Sequence, residues 1–205
     1  MLSYEWMFGI VGIVLTLVGF YPYVRGIATG KVKPHLFSWL IWAMTTLVVF
    51  VAQLQSGGGA GAWTMGVSGS ITLGIAVVAW LRHSDISISR SDWLFLLAAL
   101  SSLPLWYLSS DPLWAVVLLT LVDLAGFVPT GRKVWSRPDS ESLAFYSLFA
   151  VRNLVSVLAL EVVSVATALF PLAMTLACVL LMLIMVLRRR QLSRLSCLSP
   201  ALRQG

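Results

Sequence analysis

Apolar residues fall into seven long runs separated by short polar breaks, covering approximately 6–24, 36–55, 61–81, 91–109, 112–130, 143–160 and 162–187. Each run is close to the roughly 20 apolar residues that an α-helix needs to cross a bilayer. The pattern predicts an all-α integral membrane protein with seven transmembrane helices. No basic region precedes the first run, so a span is expected there rather than a cleavable signal. The polar breaks are too short to hold a soluble domain.

One stretch is written twice. Gly19-Phe20-Tyr21-Pro22-Tyr23-Val24-Arg25 shares its Gly, Phe, Pro and Arg with Gly126-Phe127-Val128-Pro129-Thr130-Gly131-Arg132, 107 residues later. Residues 6–82 align on 113–189 without a gap, with twelve of 77 pairs identical and Arg82 falling on Arg189. In so hydrophobic a chain the apolar identities say little, so the repeated block carries the inference of an internal duplication. The fourth run has no partner. A unit of three helices crosses the membrane an odd number of times, and one extra span restores the orientation of a direct copy. The expected architecture is two parallel three-helix repeats joined by a linker helix, 3+1+3. The boundaries are 1–83 for the first repeat, 84–111 for the linker, 112–190 for the second repeat and 191–205 for a basic tail.

Composition agrees: 59% of the 205 residues are hydrophobic, 11% are charged, and the mean hydropathy is +0.92. A soluble domain carries about 25% charged residues. The net charge of +6 would point to nucleic acid in a soluble protein, but here it reports topology. Thirteen of the fourteen Lys and Arg lie in the first, third and fifth breaks and the tail, whereas the opposite face holds only Glu5, Asp111 and Glu161. The positive-inside rule then places the N-terminus outside and the C-terminus in the cytoplasm, in a cell inner (plasma) membrane. The tail is expected on the anionic inner leaflet.

The fourteenth cation, Arg152, lies inside the sixth run beside Asn153, and Asp123 lies inside the fifth. Ionisable groups at such depth cost at least about 2.5–3.5 kcal/mol and mark functional sites by default. At about 1.5 Å per residue Asp123 is about 16 Å deep and Arg152 about 13 Å, so the two could meet near the midplane. Three readings follow: a static ion pair locking the fifth helix to the sixth, a substrate or proton site with Asp123 as its titratable member, or two groups that do not meet at all. Their counterparts in the first repeat, Thr16, Thr45 and Thr46, are uncharged, so the site has no symmetric copy. In the second run Trp39 and Trp42 are three apart and share a face. Trp39 reads as part of an interfacial aromatic belt, and Trp42 as packing or as cavity wall.

Other chemistry is thin. The two histidines, His35 and His83, have no metal-ligand spacing and sit near the basic face. Cys178 and Cys197 read as structural thiols, with no framework disulfide or metal motif. The Gly57-Gly58-Gly59-Ala60-Gly61 turn lacks the strand and Lys-Ser/Thr of a phosphate loop. No cofactor, metal or enzymatic activity is expected.

The 3+1+3 layout over residues 6–189, N-out and C-in, with a proline near the basic end of each repeat's first helix, resembles the PQ-loop/SWEET superfamily of small-solute transporters. The family's signature pair reads Pro22-Tyr23 and Pro129-Thr130 here. The resemblance implies Pro22 and Pro129 as hinges, and Trp42, Asn153 and neighbours such as Thr46 as cavity-lining residues. With Asp123 and Arg152 added, these form the candidate substrate site. The expected function is transport or facilitation of a small polar solute by alternating access between the two bundles, proton-linked if Asp123 titrates. A non-transporting receptor or accessory protein on the same fold is the alternative. The expected partners are a small solute and the lipid bilayer, with no nucleic acid; self-association is left open.

Overall fold

The computed structural model describes residues 3–82 and 89–198, with the backbone alone for Pro129 and residues 194–198. His83 therefore lies outside the described residues, and Cys197 is described only as backbone. Among the described residues seven helices follow one another: α1 (Tyr4–Ala28), α2 (Leu36–Gln55), α3 (Gly59–Leu81), α4 (Arg90–Ser109), α5 (Pro112–Ser136), α6 (Leu143–Leu158) and α7 (Val165–Leu198). Six are long and apolar enough to cross a membrane. The sixteen-residue α6 is the shorter one. At about 1.5 Å per residue it spans only ~24 Å.

Polar residues at the breaks start the helices. His35 caps α2, its Nδ1 accepting from the Ser38 amide at 3.3 Å, which gives this histidine a structural role. Ser89 and Asp92 close a capping box on α4, each satisfying a donor that the first turn leaves free. Asp111 caps α5 ahead of Pro112 at the first turn, where a missing amide proton costs nothing. Ser142 caps α6.

Several ends differ from the sequence expectation. Both Gly-Phe-x-Pro-x-x-Arg blocks were expected to close their helices, yet α1 runs on to Ala28 and α5 to Ser136. Pro22 and Pro129 are therefore interior to helices. The expected sixth span to residue 160 stops at Leu158, because the next residues turn back to bond the Gly57–Gly58 backbone. The arginine cluster 188–190 does not stop α7, which continues to Leu198.

Packing follows one order in both halves. α3 stands between α1 and α2, and α7 between α5 and α6. Across the halves α1 packs on α6 and α2 on α5, while α4 lies against α5 and α2. Small residues allow the closest approaches. A Cβ on Gly12 would meet the Thr64 hydroxyl at 2.6 Å, and one on Gly61 would meet the Ser156 carbonyl at 2.6 Å. An apolar core including Val49, Ala52, Met65, Leu119, Phe170 and Met174 fills the end of the bundle that carries Asp111 and Glu161. At the basic end two smaller clusters form, one around Ile27 and Trp39 and one around Val134 and Met185.

Candidate functional site

A cavity of about 440 Å³ lies between the two halves, lined by residues of α1, α2, α3, α5, α6 and α7 and by Glu141 of the α5–α6 loop. Its walls are largely aromatic: Phe20, Tyr23, Trp39, Trp42, Phe127, Phe145, Tyr146, Phe149 and Phe170. Four of the five expected site residues reach it, Asp123, Arg152, Trp42 and Thr46. The fifth, Asn153, does not line it.

Asn153 is fully buried behind Arg152, and its side-chain oxygen accepts from Arg152 Nη2 at 2.7 Å. The guanidinium also lies over the Phe149 ring, 4.3 Å from its centre. Arg152 is only 3% exposed, and its Nε and Nη1 have no hydrogen-bond partner among the described residues.

Asp123 stands beside the Thr45 hydroxyl of α2, and its Oδ1 is buried without a partner. Of the readings open for Asp123 and Arg152, the ion pair is not formed. Among the described residues the salt bridges are Lys133–Glu141 at 2.8 Å and Arg189–Asp139 at 2.9 Å, both at the basic end. The reason lies in the packing order: α7 stands between α5 and α6, so two helices adjacent in sequence hold their charged groups apart. The helix lock is thereby removed, while both charges still face one cavity.

Trp39 is also corrected. It is 8% exposed rather than interfacial, donates its indole N–H to the Tyr23 hydroxyl at 3.1 Å, and meets Trp42 edge-on at 5.3 Å. A buried indole needs such an acceptor, and Tyr23 of α1 supplies it. Cys178 is fully buried in the cavity wall as a free thiol.

The end opposite the basic loops is latched. The Glu161 and Val162 amides donate to the carbonyls of Gly58 and Gly57 at 3.4 and 3.1 Å. The Ala60 amide at the start of α3 donates to the Glu161 carboxylate at 3.2 Å. Gln53, 1% exposed, donates to the Thr167 carbonyl at 2.6 Å. Gly57 and Gly59 have φ of +79° and +53°, the left-handed region that favours glycine. A Cβ on Gly59 would collide with the Glu161 side chain. The triple glycine is thus the receiving half of a latch between the α2–α3 turn and the α6–α7 loop.

Sequence reasoning missed most of the aromatic wall and the whole latch. For the wall a signal existed, because Phe20/Phe127, Trp39/Tyr146 and Trp42/Phe149 are each 107 residues apart and aromatic at both positions. For the latch there was none, since Glu161 lies 102–104 residues from Gly57, Gly58 and Gly59 with no shared motif. Comparison with family models, with curated proteins and with solved structures finds no match for this chain.

Proposed function

We propose that this chain is a multi-pass transporter or facilitator of a small polar solute, working by alternating access between two parallel three-helix repeats joined by α4. The observation that carries the reading is how the cavity wall is composed. Five pairs of lining residues stand at the 107-residue offset: Gly19/Gly126, Phe20/Phe127, Tyr23/Thr130, Trp39/Tyr146 and Trp42/Phe149. A cavity built from equivalent positions of both halves lies on the axis that would relate them, where rocking of one half on the other changes access. The basic-end clusters agree, with Phe20/Phe127, Ile27/Val134, Leu36/Leu143 and Trp39/Tyr146 in matching places. So do Arg82 and Arg189, each reaching a backbone carbonyl near the end of its own repeat's first helix, Ile27 and Pro138.

With the basic loops in the cytoplasm of a cell's inner membrane, this is an inward-facing state. The cavity reaches Glu141 and Thr130 at the basic end, while the large apolar core and the glycine latch close the other. Pro22 and Pro129, each inside the first helix of its half, are the proposed hinges, and Asp123 is the group through which a proton gradient would couple.

The test is flux into liposomes for a panel of sugars, amino acids, nucleosides and vitamins, with and without a pH gradient. The comparison is Gly126→Leu, a site where an added Cβ meets nothing within 4 Å. This variant should keep its melting temperature and lose flux by roughly tenfold or more, because leucine fills the cavity. Unchanged flux in the variant would place the path elsewhere. Solute binding without flux in the parent would favour the receptor reading.

A further inference from the structure

Arg152 and Asp123, a base and an acid, both line the cavity and are not paired with each other. Arg152 offers Nε and Nη1, Asp123 offers Oδ1, and none of the three has a partner. An ionised group taken out of water without a counter-charge is costly, so a bound molecule gains most by supplying what is absent. A monoanion would answer Arg152 and leave Asp123 uncompensated. A monocation would do the reverse, and a neutral polyol would match neither charge while facing mostly aromatic walls.

We infer that the cavity binds a small zwitterion, its anionic end on Arg152, its cationic end toward Asp123, and its apolar body against rings such as Trp42 and Phe149. This rests on the proposal that the cavity is a solute site and names the class of solute. The packing supports it. Asp123 sits beside α2, and Arg152 is on α6, which packs on α1 and α7. One molecule with separated charges can therefore touch both, whereas the two side chains do not touch each other. The volume of about 440 Å³ falls within the roughly 300–1,000 Å³ of small-molecule pockets. Aromatic faces also attract the cationic end of a ligand.

The experiment is a thermal-shift titration of the full-length protein in detergent with two zwitterions of different charge separation, L-phenylalanine and 6-aminohexanoate. Each is compared with the molecules that carry only one of its charges: 3-phenylpropionate and phenethylamine, hexanoate and hexylamine. Glucose serves as the neutral control. At least one zwitterion should bind about tenfold or more tighter than either of its halves. Asp123→Asn should erase the preference over the carboxylate half, and Arg152→Gln the preference over the amine half. If a variant does not fold, the parent's ranking still decides. Halves that bind as well as the zwitterion, glucose binding alone, or no response from a cooperatively melting protein would each overturn the inference. Flux of glucose but not of zwitterions would sink it and leave transport standing. Tight zwitterion binding without flux would do the opposite.

Discussion

Arg152 is held by one amide oxygen and one aromatic face, with two of its nitrogens unpartnered. Replacing such a group by an apolar side chain of similar length is often neutral or stabilising, whereas breaking a structural ion pair costs about 3–5 kcal/mol. Arg152→Met is therefore expected to lower the melting temperature only modestly, through the donor that the buried Asn153 oxygen loses, while abolishing ligand response. A large drop in melting temperature would instead mean that Arg152 is structural. Asn153→Ala should destabilise by about 1–3 kcal/mol, because it strips Arg152 of its hydrogen bond in a buried setting. Made in the Arg152→Met background, the same change should cost clearly less. A double-mutant cycle of chemical denaturation reads this coupling, and additive losses would contradict it.

Among the elements, the bonds between the α2–α3 turn and the α6–α7 loop tie one end of the bundle together, and the proposed function makes them a gate. Glu161→Ala leaves the Ala60 amide, in the first turn of α3, without its acceptor, a loss of about 1 kcal/mol on the scale of helix caps. The expected readout is an opening. A cysteine at Thr46, in a background lacking Cys178 and Cys197, should react faster with an impermeant maleimide applied from the Glu161 side. Gly59→Val should act in the same direction and more strongly, since it adds a collision to an unfavourable left-handed backbone. Labelling as slow as in the parent in both variants would show that the apolar core, not the latch, holds that end closed. Most helices were legible at this scale because uninterrupted apolarity suffices to define them, and α2 has the same bounds in both readings. The end of α6 was not, because it is set by bonds to the distant α2–α3 turn.

For the whole molecule, the basic loops belong to one face. In the same cysteine-free background, single cysteines at Lys31 and Arg137 should label from one side of a sealed vesicle and Val163→Cys from the other. Val163 suits the test because it is 69% exposed. Mixed labelling of the two basic-loop cysteines would break the alternation of spans on which the parallel-repeat reading depends.

The chain's own order determined the number of helices, the segregation of charge between the two faces and the presence of two ionisable groups inside the apolar spans. These follow from local composition, since a long apolar run satisfies its backbone only as a helix and a charge within it stands out. The repeated block of Gly, Phe, Pro and Arg was legible for the same reason, at a fixed spacing of 107 residues. Only the tertiary structure decided who faces whom. Placing α7 between α5 and α6 parts Asp123 from Arg152, turns Asn153 from cavity wall into a support for Arg152, and buries Trp39 against Tyr23. It also seats Glu161 on the glycine turn. Which helix becomes the neighbour of which depends on where small residues let backbones approach, and that is a property of two surfaces meeting, carried by neither run alone.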